Sequence, residues 1–289
     1  MKKKENSNAC LVTATDSKFA FQALNLVASA ILKTNVFKEF VVYDLGMKDF
    51  QRKLFEDLDM VRLEKVQPFT KYWKQCYSWK PWVIQQESAR YRYIVYLDAG
   101  TEIQKNLKSV IDIIKHQGYF VVSQEQAIST GHYINQIMPT EYYDLFGLKN
   151  KDASKPVVAA GILGYDAKSI FARQVIQPWI TYIKQGYNLG WSSSEGWRNQ
   201  GIHYLPNAPV RDCKIFRQDQ TVFNALLYRS MGNPKLESMK KYGWLDKGGS
   251  GQVIWNPKIN GTFESISKLQ YRQNNFIKHL AIWIYRLFG

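Results

Sequence analysis

A few acids and amides stand where this chain could do chemistry. Asp98 closes the run Tyr91-Arg92-Tyr93-Ile94-Val95-Tyr96-Leu97 and is followed by Ala99 and Gly100. A short β-branched and aromatic run bounded by an acid and a glycine reads as a buried strand, with Asp98 at its carboxyl end. Open α/β sheets bind ligands at that end. A carboxylate there can hold a nucleotide ribose or a metal-bound diphosphate, and it can equally cap the next turn. Asp16 and Asp44 follow two further apolar runs in the same way. Asp219-Gln220 opens a segment that begins polar and turns apolar, as a helix does when its first turn faces a pocket. The helix dipole favours an acid at that position, and a simple helix cap with an incidental amide is the plain alternative.

The elements that must position these residues alternate in period. Ala9 to Ala14, Phe40 to Tyr43 and Val61 to Val66 read as strands. Ser17 to Lys33 and Lys48 to Leu58 read as helices, and Trp79 to Arg90 as another with Pro81 in its first turn. Leu107 to His116 reads as a helix and Tyr119 to Ser123 as a strand. This alternation predicts a mainly parallel sheet with helices on both faces and right-handed crossovers, which gathers Asp16, Asp44 and Asp98 on one edge. Gln124 to Pro156 shows no period and reads either as an irregular excursion over that edge or as a mere connection. Pro156 to Tyr165 is strand-like, with Gly161 where backbone can approach a ligand. Helices are expected from Ala167 to about Gln185 and from Arg217 to Leu227.

With 289 residues, 45% of them hydrophobic, the chain can bury a large core. The formal charge of +15 draws it to polyanions. The basic residues are dispersed and no zinc-finger or RNP-type pattern accompanies them, so phosphate ligands or an anionic membrane are favoured over nucleic acid. Cys10, Cys76 and Cys213 are far apart and contain no CxxC, which suggests neither a disulfide framework nor a zinc site and fits a reducing, cytoplasmic interior. Asp16 and Lys18 interrupt the first apolar run too early for a signal segment. No stretch reaches the roughly 18 apolar residues needed to span a bilayer.

Several short motifs occur in one order: Thr13-Ala14-Thr15-Asp16, Val42-Tyr43-Asp44-Leu45-Gly46, Trp79-Lys80-Pro81-Trp82, Tyr96-Leu97-Asp98-Ala99-Gly100, Ala160-Gly161-Ile162 and Asp219-Gln220-Thr221-Val222-Phe223-Asn224. Together they resemble the GT-A-fold nucleotide-sugar glycosyltransferases, in particular glycosyltransferase family 8 and related bacterial surface-polysaccharide enzymes. The resemblance covers about residues 9 to 230. It implies a GT-A-like α/β domain that transfers a hexose from a nucleotide-diphosphate sugar, UDP-linked by expectation, to a glycan or lipid-linked acceptor. It places Ala14, Thr15 and Asp16 under the base, and Lys80, Asp98, Ala99 and Gly100 around the ribose and diphosphate. Gly161 falls beside the donor sugar, and Asp219 and Gln220 at its reactive face.

The resemblance also implies a Mn²⁺ or Mg²⁺ ion, for which Asp98 is the one matched ligand. Gly100 stands where the family has a second acid, and a hard dication needs several oxygens. Glu102 and Asp219 are the acids that could supplement it. Without a metal, Lys80, Arg211 and Arg217 are the cations that could stabilise a leaving diphosphate. The alternative to an enzyme is a non-catalytic nucleotide- or sugar-binding module on the same fold. Retention or inversion is left open.

Residues 1 to 8 form a basic tail, 9 to 265 the catalytic domain, and 266 to 289 a separate segment. In that segment Leu269, Phe276, Leu280, Trp283 and Leu287 recur at helical spacing with basic residues beside them. This predicts an amphipathic helix that either lies in a membrane interface, attaching the protein peripherally to the inner face, or docks on the domain.

Overall fold

Six strands of one sheet run in the same direction and a seventh runs against them, and this exception organises the site. In the computed structural model, which describes residues 8–124, 132–192, 205, 207–244, 251–255 and 264–272, the first half alternates as its periods require. The elements are β1 (Ala9–Asp16), α1 (Ala20–Lys33), β2 (Glu39–Gly46), α2 (Asp49–Glu56), β3 (Val61–Lys65), α3 (Trp79–Gln86), β4 (Tyr93–Leu97), the short β5 (Glu102–Ile103), α4 (Lys108–Gln117) and β6 (Tyr119–Ser123). Then follow α5 (Ile134–Ile137), α6 (Thr140–Phe146), β7 (Val158–Asp166), α7 (Gln177–Lys184), β8 (Trp191–Ser192), β9 (Val210–Arg211), α8 (Asp219–Met231), β10 (Glu237–Ser238), α9 (Met239–Tyr242), β11 (Gly243–Trp244), β12 (Ile254–Trp255) and α10 (Glu264–Arg272).

The main sheet has the order β10-β6-β7-β4-β1-β2-β3. β7 pairs antiparallel with both β4 and β6, whereas the remaining pairs are parallel. The sheet is therefore mostly parallel and flanked by helices, a GT-A-like α/β architecture. Because Leu97 pairs with Ile162 and Tyr93 with Asp166, the start of β7 lies beside the carboxyl end of β4.

Alternation along β4 assigns its two faces. Ile94 and Tyr96 enter the core shared with α3, α7 and α8, which includes Val83, Ile84, Trp179, Val222, Phe223, Leu226 and Leu227. Val95 and Leu97 enter the core shared with α1 and α4, with Leu24, Val27, Val110 and Ile114. By the same period of two, Asp98 falls on the α3 and α8 side. Each fully buried aliphatic or aromatic side chain stabilises by about 1.5–3 kcal/mol. Four of them in α8 suffice to hold a helix whose first turn carries a buried acid.

The starts of α1 and α7 move for local reasons. α1 begins at Ala20, not Ser17, because the Asp16 carboxylate accepts the Lys18 and Phe19 N–H groups and holds them in a turn. Lys168 is held likewise by Asp166 Oδ1, and a π-helical stretch (Ala172–Ile176) precedes α7. Part of the stretch after Gln124 is regular: α5 and α6 bury Ile134, Ile137, Tyr142 and Phe146 in the core, while residues 125–131 lie outside the described residues. The C-terminal segment starts as α10, which buries Ile266 and Leu269 against the α1 side of the domain. The helix thus begins two residues before that segment and docks through Ile266 and Leu269, and 273–289 lie outside the described residues, as do 1–7 of the basic tail.

Candidate active site at the carboxyl edge of the sheet

Asp98 is held by its neighbours through both backbone and side chain. Its N–H donates to Gly161 O at 2.8 Å, and its carbonyl accepts the Thr101 N–H and hydroxyl, closing the turn through Ala99 and Gly100. Oδ1 accepts the Tyr96 hydroxyl at 2.7 Å and lies 3.2 Å from Lys80 Nζ. Oδ2 lies against Gly161, where a Cβ would come within 2.1 Å of it. Gly161 thus makes room for the carboxylate of Asp98 itself.

Lys80 joins Asp98 to Asp219. Its Nζ lies 3.6 Å from Asp219 Oδ2, and both side chains are buried, whereas that of Asp98 is 44% exposed. The rings of Tyr77, Trp79 and Tyr96 surround the ammonium at 5.2 to 5.9 Å from their centroids. Burial alone would push the Lys80 ammonium down, but the adjoining Asp219 and Asp98 carboxylates outweigh it and hold the ammonium above its ordinary range. Burial also pushes the Asp219 carboxyl up to about 6, with Lys80 opposing and Asp98 adding to the rise. One positive charge between two acids leaves the wholly buried one undercompensated. Asp219 Oδ2 accepts no hydrogen bond among the described residues.

The backbone that delivers Lys80 is strained. Cys76 and Tyr77 both adopt positive φ, 48° and 56°, a costly region for residues with a Cβ. Buried Asn188 bridges this turn, its Nδ2 donating to Cys76 O at 2.8 Å and Ser78 Oγ at 2.7 Å. Gln218, just before Asp219, has φ 51°. Strain of this kind on both approaches to a charge cluster marks a site whose geometry the surrounding structure imposes.

The rest of the Asp219 motif anchors β7. Gln220 Nε2 donates to Gln124 Oε1 and Val158 O, both at 2.8 Å. Asn224 accepts the Val158 N–H and donates to Val158 O, so its amide acts like a strand neighbour at the start of β7. Trp179 Nε1 donates to the Asp219 carbonyl.

Other expected residues reach the edge without joining the cluster. Ala14 and Thr15 are buried within β1. Asp16 Oδ1 is engaged by the Lys18 and Phe19 amides. Asp44 accepts the Gly46 and Met47 N–H groups and pairs with Arg52; although burial opposes it, these bonds hold its carboxyl below the usual range. Arg211 donates to Leu189 O and pairs with Glu141, which braces a loop against α6. For Arg217, the N–H donates to Thr221 Oγ1 in the turn that starts α8. Glu102 is buried on the opposite side, accepting from Asn25, Gln104 and Ser265.

These positions test the expected dication. Among the described residues no group of three or more His, Cys, Asp or Glu side chains gathers as a metal site. Glu102 is committed elsewhere and Gly100 offers no side chain. An ion between Asp98 and Asp219 would meet the Lys80 ammonium. At about 4 Å and an effective dielectric of about 20, a dication and an ammonium repel by roughly 8 kcal/mol. The described residues do not fit a divalent ion.

Sequence reasoning missed Tyr96 and Asn188. Strand parity alone would have placed Tyr96 beside Asp98, whereas nothing local marks Asn188, more than a hundred residues from the turn it bridges.

No family model matches the chain, and no curated protein matches it in sequence. Its fold does match solved glycosyltransferases. The bifunctional glycosyltransferase WbbM, in its apo structure, superposes with a TM-score of 0.55 at 11% identity, over 93% of this chain and 50% of WbbM. The chain thus spans half the length of that protein. The galactosyltransferase LgtC, in complex with donor and acceptor sugar analogs, gives 0.52 at 12% identity, over 93% of this chain and 98% of LgtC. An active-site glutamine-to-glutamate mutant of LgtC matches equally well. At these identities the likeness establishes the shared GT-A-like fold.

Proposed function

We propose that the chain is a glycosyltransferase that takes a hexose from a nucleotide-diphosphate sugar, UDP-linked, and passes it to a glycan or lipid-linked acceptor in surface-polysaccharide synthesis. The observation that carries the reading is the convergence of Asp98, Gly161, Lys80 and Asp219 at the carboxyl edge of a GT-A-like sheet, where such folds bind ligands. In this reading Ala14, Thr15 and Asp16 form the floor under the base. The exposed carboxylate of Asp98, beside Ala99 and Gly100, meets the ribose or diphosphate, and Gly161 lines the sugar. Asp219 and Gln220 lie at the reactive face. LgtC has an active-site glutamine, and Gln220, beside Asp219, is the residue this reading assigns to an equivalent place.

The second reading, a binding module without turnover, draws on the engagement of both Gln220 amide hydrogens by Gln124 and Val158. Cytoplasmic location and peripheral attachment through residues 266–289 belong to the first reading and rest on charge and on the pattern of that segment. No helix among the described residues is long and apolar enough to cross a membrane.

A thermal-shift panel of UDP-, GDP- and CDP-sugars tests the reading, because a ligand bound only by the folded state raises the melting temperature. Stabilisation by at least one donor, with slow donor hydrolysis that Asp98→Ala and Asp219→Ala abolish, is expected. No shift with any donor would overturn it, and binding without turnover would favour the module.

A further inference from the structure

Resting on that reading, we infer that Lys80 is the built-in cation of this site and that nucleotide-sugar binding here needs no divalent metal ion. Asp98 and Asp219 are the acids that face one another across the edge, and the Lys80 ammonium stands between their oxygens at 3.2 and 3.6 Å. A hard dication such as Mg²⁺ would need to bring carboxylate oxygens to about 2.0–2.1 Å and to complete a shell of about six. To gain that place it would have to displace an ammonium that cannot readily leave. The Lys80 side chain is 6% exposed, and the rings of Tyr77, Trp79 and Tyr96 enclose its end. Desolvated ammonium–aromatic contacts of this kind favour the charged form in place.

The remaining oxygens point the same way. Asp98 Oδ1 already accepts the Tyr96 hydroxyl as well as facing Lys80, and Oδ2 lies in the space that Gly161 leaves beside it. Glu102, the nearest acid in sequence, is bound to Asn25, Gln104 and Ser265 on the far side of the strand. A tethered ammonium has three donors. Paired ionically with Asp98 and Asp219, it can still donate to an oxygen of a phosphate or a sugar hydroxyl. The ligand this arrangement fits is an anionic nucleoside diphosphate sugar bound as such, without a metal chelate.

The test uses the full chain with UDP-glucose, UDP-galactose and GDP-mannose as probes, each measured by calorimetry in EDTA and in excess Mn²⁺. The expected result is an affinity for at least one probe that agrees within about twofold between the two conditions. Lys80→Met should weaken that affinity at least tenfold and Lys80→Arg should restore most of it. Binding seen only with Mn²⁺ overturns this inference and leaves the glycosyltransferase reading standing, whereas binding of no probe in either condition overturns both. Should Lys80→Met fail to fold, electron paramagnetic resonance of the wild-type chain decides: no Mn²⁺ bound stoichiometrically in the presence of donor supports the inference, and one bound ion per chain overturns it.

Discussion

Gly161 and Asp98 are fitted to each other: a methyl group on Gly161 would lie 2.1 Å from Asp98 Oδ2 and 2.7 Å from its Cγ. The half-exposed carboxylate would give way, because the neighbouring atoms are those of a side chain end and not of backbone. Gly161→Ala should therefore leave the fold nearly intact, at a cost of about 1 kcal/mol, while turning Asp98 away from Tyr96 and Lys80. Donor affinity should fall at least tenfold. A chemical melt paired with calorimetry checks both halves, and an Ala variant that binds donor like wild type would show that the carboxylate position does not matter.

Asn188 should matter out of proportion to its distance in sequence. Its amide donates to Cys76 O and Ser78 Oγ within the left-handed turn that leads to Lys80. Removing it takes this donor from the buried Cys76 carbonyl, whereas Ser78 retains its own bond to Gln75 O. Asn188→Ala should cost about 2–3 kcal/mol and Ser78→Ala less. Urea denaturation measures the difference, and equal effects of the two variants would refute the assignment of Asn188 as the brace.

The buried acid of the pair sets a pH dependence. In the unfolded chain Asp219 titrates near about 3.9, and in the folded protein burial raises it to about 6. Between these values the folded state keeps a proton that the unfolded state has released. Rising pH then favours unfolding through this group, and the trend ends once both states are ionised. Relative to Asp219→Asn, the wild type should lose on the order of 2–3 kcal/mol of stability between about pH 4 and about pH 6, and little beyond. Melts of both proteins across that range test the sign; a difference that is flat or grows with pH contradicts it.

Much of this architecture was legible in residue types. Strands β1 to β4 and β6 follow from β-branched runs, and the parity of β4 assigns Tyr96 and Asp98 to one face. The reversal of β7 was not legible, because an apolar run does not say in which direction it enters a sheet. Nor could sequence separate Asp98 from Asp16 and Asp44. All three close apolar strands, but Asp16 and Asp44 turn to amides of their own loops, a choice made by loop geometry two or three residues on. Lys80 was legible as a candidate cation and Tyr77 and Trp79 stand beside it in sequence, while its approach to Tyr96 and Asp98 depends on β4 and its approach to Asp219 on α8, far along the chain.

Glu102 provides a control on the opposite face. It lies four residues beyond Asp98, but its carboxylate ties α1 through Asn25, the start of α10 through Ser265, and Gln104 beside it. Asn25 in turn accepts the Ile266 N–H, so the acid indirectly secures the point where the C-terminal helix docks. Glu102→Ala removes a buried acceptor from three donors and should destabilise the chain by about 2–4 kcal/mol, with Glu102→Gln milder because one acceptor oxygen remains. Neither should change donor affinity by more than about twofold at a temperature where the variant is folded, since a twofold change is only about 0.4 kcal/mol. If Glu102 instead contributed to a cation site with Asp98, the variants would lose donor binding in proportion to Mn²⁺ dependence, and calorimetry with and without Mn²⁺ separates the two cases.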